Sequence, residues 1–438
     1  MLSFPEPQPH RPRAALSSPR PTPLLPASAR STGPSAPTIA GTASPCKDVF
    51  AIESSVISNA EDLDEQVITT WDRLAVESSL PYSTPAWMNA FWQEHHESTG
   101  EAELRLVVVR DHSEIVGIGP FYADAVRALG LREWWPLGAG IGQRTGPLAV
   151  RGREREVASA IAARVAAEGA TMLRLPASDS LTPWGRWLVE NWPAKPRPRL
   201  CRYAVPALTI AVRGDGDFDA WLGAKSRNFR SQIQRRTRNL ARAQATIRRI
   251  VDPTEVPEIL ATLVSLQRAR FASMGRESSL TARVERAVTR AAAALLQDGQ
   301  RARLWVVEAA DGVVAAQLHV VAGNRMCYYN GGSSPSWARE SLGTVLLATA
   351  VRDAHELGLS TIDLGGGDQP YKRRFADGES ILEWCSVIPV GLRYPIERGR
   401  LLRGDMRRAA VKMVARLPDA QRAQVLALRR SLKRTCRP

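Results

Sequence analysis

Hydrophobic and polar residues alternate in short blocks along the chain from about residue 49 onward. In the first half, apolar runs and period-two alternation predict strands, and apolar residues at 3.6-residue spacing predict helices. The predicted helices cover 63–78, 85–96 and 154–168, and the predicted strands cover 104–110, 114–122 and 171–175. This order of helices and strands indicates a mixed α/β fold.

The second half repeats the same order of elements. The predicted strands cover 208–212, 303–308, 313–321, 326–330 and 361–364, and the predicted helices cover 217–245, 256–272, 282–297 and 342–357. The hairpins at 105–116 and 303–314 align without a gap, and each is followed by a strand, a helix ending in Gly, and a short strand. This similarity predicts a duplicated unit, with a chance likeness of two hairpins as the alternative.

Composition sets the limits of the predicted domains. Residues 1–47 are rich in Pro and Ser and nearly free of aromatic residues, which predicts a disordered tail, or alternatively a wrongly assigned start. A Pro-rich stretch at 192–198 predicts a linker. We therefore expect an α/β (α+β) fold with an N-terminal domain over 48–200, a C-terminal domain over 201–395 and a basic amphipathic helical tail over 396–438.

The net charge of +15 is concentrated at the two ends of the chain. Residues 396–438 contribute +10 and residues 1–47 contribute +4, which leaves the body almost neutral and argues against nucleic acid as its partner. Five dispersed cysteines and the lack of His or Cys ligand spacing predict no metal site. Without a signal-peptide pattern or a run of eighteen apolar residues, the chain is expected to be cytoplasmic.

Residues 328–375 contain the clearest candidate for a binding site. A strand with small residues at its end precedes a helix that starts at Ser341, Leu342, Gly343 and Thr344. Free amides and the helix dipole at such a start favour a phosphate, and the hydroxyl of Ser341 is suited to capping the helix. The alternative is an ordinary capped helix without a ligand.

The segment IDLGGGDQPYKRRF at 362–375 resembles the end of the CelD/BioF2-like acetyltransferases. These proteins are a branch of the GNAT superfamily related to Fem-type aminoacyl transferases, and they carry the pattern f-D-l-x-x-G-D-x-x-Y-K-x-x-F. Matching segments at 85–87, 116–122 and 217–222 extend the resemblance over about 68–389. It implies that both domains are GNAT-like, and that the chain is an acyltransferase, foremost an N-acetyltransferase.

The resemblance also implies a direct transfer from an acyl-CoA, foremost acetyl-CoA, to an amine or hydroxyl acceptor. Asp363 or Asp368 would act as the base or orient the acceptor, Tyr371 would protonate the leaving thiolate, and Lys372 would neutralise the donor phosphate or the oxyanion. The residue pattern of the hairpin adds His319 and Glu308 as further candidate bases.

The helix start departs from the Q/R-x-x-G-x-G/A pattern of CoA-binding relatives. Glu340 stands at its first position, Gly343 fits, and Val345 replaces the last small residue, where a branched side chain could crowd a pyrophosphate. An acyl carrier protein or an aminoacyl-tRNA is therefore the alternative donor.

Two other classes of function remain open at this point. One is a Fem-like ligase that uses aminoacyl-tRNA, with the basic stretch 225–249 as the tRNA contact. The other is a non-catalytic accessory protein at an anionic membrane, held by the stripe of Leu402, Met406, Ala409, Met413 and Leu417, although this stripe could equally dock on the protein itself. The family's association with polysaccharide and envelope assembly suggests a glycan-linked or envelope acceptor and a peripheral place at the inner membrane.

Overall fold

The computed structural model describes residues 52–415, apart from 127–128, 213–216, 274–277 and 279, together with the single positions 421 and 424. The predicted tail at 1–47 and most of the segment beyond 415 lie outside the described residues.

Strands alternate with helices along the described chain. The strands are β1 (Ile52–Ile57), β2 (Glu103–Asp111), β3 (Glu114–Val126), β4 (Leu131–Pro136), β5 (Leu148–Ala149), β6 (Met172–Asp179), β7 (Arg199–Ala211), β8 (Thr246–Ile250), β9 (Ala302–Ala309), β10 (Gly312–Ala322), β11 (Arg325–Ser333), β12 (Thr361–Gly366) and β13 (Gly378–Ile388). The helices are α1 (Glu65–Glu77), α2 (Pro85–Thr99), α3 (Glu154–Ala167), α4 (Trp184–Glu190), α5 (Phe218–Ala224), α6 (Arg227–Arg242), α7 (Val256–Ser273), α8 (Ala282–Gln297), α9 (Leu342–Glu356), α10 (Pro370–Phe375) and α11 (Tyr394–Ala415).

The described strands form one mixed sheet in the order β1-β2-β3-β4-β6-β13-β7-β12-β11-β10-β9-β8, with β5 attached to β3. In the first half, β1, β2, β3 and β4 pair antiparallel in chain order, and β4 then pairs parallel with β6. In the second half, β8, β9, β10 and β11 repeat that pattern, and β11 pairs parallel with β12. The predicted tandem of two related, mostly antiparallel units is therefore confirmed.

The two units share the centre of the sheet. Strand β13 lies between β6 of the first unit and β7, and it pairs antiparallel with both. Strand β7 begins at Arg199, just before the predicted domain boundary at residue 200, and that boundary stays a prediction. Because main-chain hydrogen bonds cross the junction, the units form a continuous sheet rather than two bodies on a linker.

The prediction of a single basic helix over 217–245 is wrong, because the helix is interrupted between α5 and α6. Ser226 adopts an extended conformation there, and its hydroxyl accepts a hydrogen bond from the amide of Phe229. An N-cap of this kind begins a new helix. The buried face of α6 carries Phe229, Ile233 and Leu240, so the arginines between them lie on its other faces or at its edges.

The first turn of α11 docks on the first unit. Glu397 is fully buried and accepts a hydrogen bond from the hydroxyl of Thr171 at 2.7 Å. Arg400 forms an ion pair with Glu133 of β4. Further along the helix, Leu402, Met406 and Met413 are 44%, 63% and 68% exposed. The first turn of α11 is therefore docked on the first unit, and the described stripe residues face outward, while the binding of the stripe to an anionic membrane stays a prediction.

None of the helices in the described part of the chain combines the length and the apolar character needed to cross a bilayer.

Candidate functional site

Strands β11 and β12 part from each other and leave a wedge in the sheet. They pair in parallel only from Arg325 to Cys327 on β11 and from Thr361 to Asp363 on β12. Strand β11 continues to Ser333 alongside β10, whereas β12 continues alongside β7. Beyond this point the edge of β11 that faces β12 has no partner strand, which leaves room for a ligand to pair with it. On β12, side chains already bind the amides and carbonyls of Gly365 and Gly366.

Tyrosine side chains meet at the opening of this wedge. Tyr328 is the first residue of β11 beyond the paired stretch, and its hydroxyl donates a hydrogen bond to the hydroxyl of Tyr371 on α10. Burial raises the pKa of both hydroxyls above the ordinary tyrosine value. Both groups therefore hold their protons at neutral pH, and Tyr371, 36% exposed, is accessible to a ligand.

Small residues keep this corner open. A side chain at Gly331 would place its Cβ 3.1 Å from the hydroxyl of Tyr328 and 3.2 Å from Nε2 of Gln317. The amide of Gln317 also donates to the carbonyl of Gly343 at 3.4 Å, which connects β10 to the first turn of α9. The wedge and the start of α9 therefore share one polar corner.

His319 lies on the same face of β10 as Gln317 but has no exposed surface. Its Nε2 contacts Oε1 of Gln317 at 3.0 Å, and because an amide oxygen only accepts, Nε2 must carry the proton. Burial lowers the pKa of His319 to about 3, so the ring is neutral. The ring of His319 therefore holds the side chain of Gln317 in place through this hydrogen bond. Glu308, the other base predicted on the hairpin, forms an ion pair with Arg248 away from the wedge.

Asp363 of β12 is committed to a buried ion pair. Its carboxylate accepts from the guanidinium of Arg144 and, at 2.7 Å, from the amide of Gly365. Arg144 also pairs with Asp179 of β6 and donates to Ser380 of β13 at 2.6 Å. The pKa of Asp363 is lowered, because the charge and hydrogen bond of Arg144 outweigh the opposing effect of burial. Such a carboxylate stays ionised and holds the two units together.

Lys372 of α10 is almost completely buried behind the same strand. Its ammonium donates to the carbonyls of Gly366 at 3.1 Å and Gly365 at 3.3 Å. Burial lowers its pKa to about 8, and the negative charge of Asp363 opposes that shift. The contacts fix the end of β12, and the ammonium has one further proton to donate.

Asp368 lies in the turn between β12 and α10 and forms an ion pair with Arg373. The carboxylate is largely buried, whereas the arginine is 43% exposed at its side chain. The structure thus brings Asp363, Tyr371 and Lys372 around the end of β12, with Asp368 at the edge of this group.

The start of α9 presents an open surface. Ser341 has a left-handed backbone with φ of 50° and its side chain makes no capping hydrogen bond, so the predicted hydroxyl cap is wrong. Leu342 is buried, Thr344 is partly exposed, and a Cβ built on the exposed Gly343 meets nothing within 4 Å. Among the described residues, no backbone acceptor is found for the amides of Leu342 and Gly343. These amides and the helix dipole favour an anion.

Val345 does not obstruct this surface. Its side chain is buried in a core cluster with Leu240, Ala315 and Leu346. The crowding expected from a branched side chain at this position is therefore absent, because the side chain points into the core.

Sequence reasoning missed Gln143 and Arg144, which reach the site from the first unit. Gln143 accepts a hydrogen bond from the amide of Gly366 at 2.7 Å, and Arg144 binds Asp363 across 219 residues of sequence. Their local signal is a Gly-rich stretch before Pro147, which indicates a turn but no partner. Tyr328 was visible only as one of two adjacent tyrosines in a strand.

Metal-ligating side chains do not cluster anywhere in the described ranges: no group of three His, Cys, Asp or Glu is placed to hold an ion.

The comparisons with known proteins cover both sequence and fold. Residues 227–373 match the family model described as an acetyltransferase (GNAT) domain. No curated protein matches the chain. The crystal structure of FemX is similar at 15% identity and a TM-score of 0.53, over 76% of this chain and 96% of that one.

Two further solved structures are similar to this chain at lower TM-scores. The C-terminal domain of a putative lysylphosphatidylglycerol synthetase from Agrobacterium fabrum is 11% identical with a TM-score of 0.43, over 73% of this chain and 90% of that one. A tandem GNAT protein from the clavulanic acid biosynthesis pathway is 14% identical with a TM-score of 0.39, over 78% of this chain and all of that one.

Proposed function

This chain carries a GNAT-type acetyltransferase domain, and from that premise we propose that it transfers an acyl group from acyl-CoA, foremost acetyl-CoA, to an amine or hydroxyl acceptor. The observation that carries the proposal is the wedge between β11 and β12, with the paired hydroxyls of Tyr328 and Tyr371 at its opening. The pantetheine arm of CoA contains two amides, which can pair with the open edge of β11 as a short strand would.

The phosphates of the donor belong at the start of α9 in this proposal. The amides of Leu342 and Gly343 supply hydrogen bonds, and Ser341 and Thr344 flank them. A thioester entering the wedge from that end would bring its sulfur toward the tyrosines. Donor binding and chemistry then share the corner where Gln317 touches Gly343.

Tyr371 is the proposed acid that protonates the leaving thiolate. Its raised pKa keeps the proton available, and the hydrogen bond from Tyr328 fixes the position of its oxygen. Asp363 and Lys372 are proposed as positioning residues, because their charges are bound to Arg144 and to the carbonyls of β12. Asp368 is the proposed group that orients the acceptor, because it lies at the edge of the group and its partner Arg373 is partly exposed.

The test is acyl transfer from labelled acetyl-CoA to a panel of amines, alcohols and glycan-linked acceptors, measured as product mass and free thiol. Tyr371→Phe should lower kcat on the order of a hundredfold and leave KM for acetyl-CoA nearly unchanged, because only the proton donor is lost. Tyr394→Phe, which alters a tyrosine at the start of α11, is the matched control. Full turnover by Tyr371→Phe would contradict the assignment of the acid.

A second candidate function is aminoacyl transfer from tRNA, as in Fem-type enzymes. It is favoured by the arginines of α6, none of which is in an ion pair within the described ranges. Binding of tRNA with a steep loss of affinity between low and moderate salt would support it.

The stripe on α11 supports peripheral binding to an anionic membrane as part of the proposal. Leu402, Met406 and Met413 face outward on a helix that also contains Arg398 and Arg403. Apolar residues flanked by arginines suit the interface of an anionic bilayer. An envelope or glycan-linked acceptor at that surface would fit this arrangement.

A further inference from the structure

Arg236 occupies an unusual position on α6. It lies on the stripe between Ile233 and Leu240, both of which are buried. Ile233 belongs to the core cluster that includes Leu347 and Ala348 of α9, and Leu240 belongs to the cluster that includes Leu342 and Val345. Arg236 is therefore directed toward the first two turns of α9.

The guanidinium of Arg236 lacks the partners that burial requires. Its Nε and Nη1 atoms are shielded from solvent, and neither makes a hydrogen bond. A buried donor without an acceptor costs on the order of 1–3 kcal/mol, and more when it is charged. No carboxylate lies in an ion pair with Arg236 within the described part of the chain. This partly exposed side chain therefore keeps two shielded nitrogens whose hydrogen-bonding capacity is unused.

The charges around Arg236 add to this cost. Burial lowers its pKa most, and the neighbouring charges of Arg374 and Arg235 lower it further. Arg374 follows Tyr371 and Lys372 on α10, donates to Oε1 of Gln232 and lies 5.5 Å from the centre of the Phe229 ring. Two guanidinium groups that repel each other in the free protein would both be satisfied by an anion placed between them.

We infer that Arg236 and Arg374 form a phosphate-binding subsite for the acyl donor, separate from the amides at the start of α9. This inference rests on the proposed function for the identity of the donor, and the ligand class is a phosphate or pyrophosphate group of CoA. Arginine binds phosphate through two hydrogen bonds at once, which suits a group held between helices α6 and α10.

A phosphate-binding role for Arg236 predicts a pattern of stability and binding that a purely structural arginine would not show. Arg236→Gln should leave the unliganded protein at least as stable as the wild type, because two shielded donors without acceptors and a charge that repels Arg374 are removed. The same variant should bind CoA about tenfold to a hundredfold more weakly, which corresponds to the loss of one or two charge-assisted hydrogen bonds. Arg238→Gln is the matched control, since Arg238 is an exposed arginine on another face of α6.

The experiment measures binding by calorimetry for CoA, 3′-dephospho-CoA, pantetheine and inorganic pyrophosphate, with melting temperatures of the free proteins. The inference predicts weaker binding of CoA and pyrophosphate by Arg236→Gln, unchanged binding by Arg238→Gln, and no change for pantetheine. Arg374→Gln should reproduce the effect of Arg236→Gln. A comparison of CoA with 3′-dephospho-CoA then identifies which phosphate occupies the subsite.

The outcomes separate this inference from the proposed function. If CoA binds equally to wild type and Arg236→Gln, the subsite is wrong and the acyl-CoA proposal stands. If pyrophosphate binding depends on Arg236 but CoA does not bind, the phosphate site stands and the acyl-CoA proposal fails. If tRNA alone binds in an Arg236-dependent way, or if Arg236→Gln melts well below the wild type, the subsite for a donor coenzyme is overturned.

Discussion

At the scale of single residues, the charged side chains of the site are buried and already bound to partners within the protein. Lys372 binds two strand carbonyls and Asp363 binds Arg144, so neither side chain is free to exchange protons easily with a substrate. The tyrosine pair is different, because Tyr371 remains partly exposed and protonated. In the proposed function the chemistry at the wedge depends on these hydroxyls, while the charged groups keep β12 in place.

Lys372 should make the stability of the fold depend on alkaline pH. Its pKa falls to about 8 in the folded protein, whereas an unfolded lysine titrates near its ordinary value of about 10.4. Between these values the unfolded chain binds more protons, so the folded state gains stability as pH rises. Relative to Lys372→Met, the wild type should gain up to about 3 kcal/mol across this window, measured by urea unfolding at several pH values.

The control for this measurement is Lys195→Met, which removes an exposed lysine from a loop. Its unfolding curve should follow the wild type at every pH. Parallel pH dependence of wild type and Lys372→Met would show that the lysine is not held as described.

Sequence reasoning found the residues of the 362–375 segment but not the residues that bind them. Asp363 and Lys372 belong to a recognisable pattern, whereas Arg144 is 219 residues away from its partner and has no local signature. A long-range ion pair depends on how the two units are joined. That arrangement cannot be deduced from the spacing of residues along one segment.

At the scale of elements, periodicity predicted the helices and hairpins that have one clear apolar face. Helix α8 over Ala282–Gln297 matches its predicted range, because Val284, Ala287, Ala291 and Leu295 repeat at helical spacing. Strand β13 was missed, since burial along Gly378–Ile388 does not alternate cleanly. Its first residues are mostly exposed and its last four, Cys385 to Ile388, are all buried, so no period-two alternation marks it.

Helix α11 is expected to bind anionic vesicles through its outward stripe. The double variant Met406→Gln and Met413→Gln should lose flotation with vesicles that contain phosphatidylglycerol, because its apolar contact area is removed while its charge is kept. Leu181→Gln is the matched control, since Leu181 is 82% exposed elsewhere on the surface. Equal flotation of all three proteins would contradict a role for the stripe.

At the scale of the whole molecule, the two units are parts of one sheet. Strand β13 pairs with both β6 and β7, and Arg144 joins Asp179, Ser380 and Asp363 from three strands across the junction. The repeat was visible in the sequence because its hairpins align. The junction was not visible, because strands without clean alternation form it.

This continuity connects donor binding to the stability of the entire chain. A ligand that binds only the folded state stabilises everything that unfolds with its site. Eight of the twelve tryptophans precede β7, so tryptophan fluorescence reports mainly on the first unit. A ligand at the start of α9 in the second unit should therefore also delay the change in tryptophan fluorescence.

The most direct test of the central claim is thermal unfolding with and without acetyl-CoA, for wild type, Gly343→Ala and Gly343→Asp. At a hundred times its dissociation constant, acetyl-CoA should add about 2.7 kcal/mol, seen alike in circular dichroism and tryptophan fluorescence. Gly343→Ala should keep this shift because its Cβ has open space, and Gly343→Asp should lose it because its charge repels the phosphates. No shift in the wild type with any acyl-CoA, or a full shift in Gly343→Asp, would contradict the assignment of acyl-CoA to the start of α9.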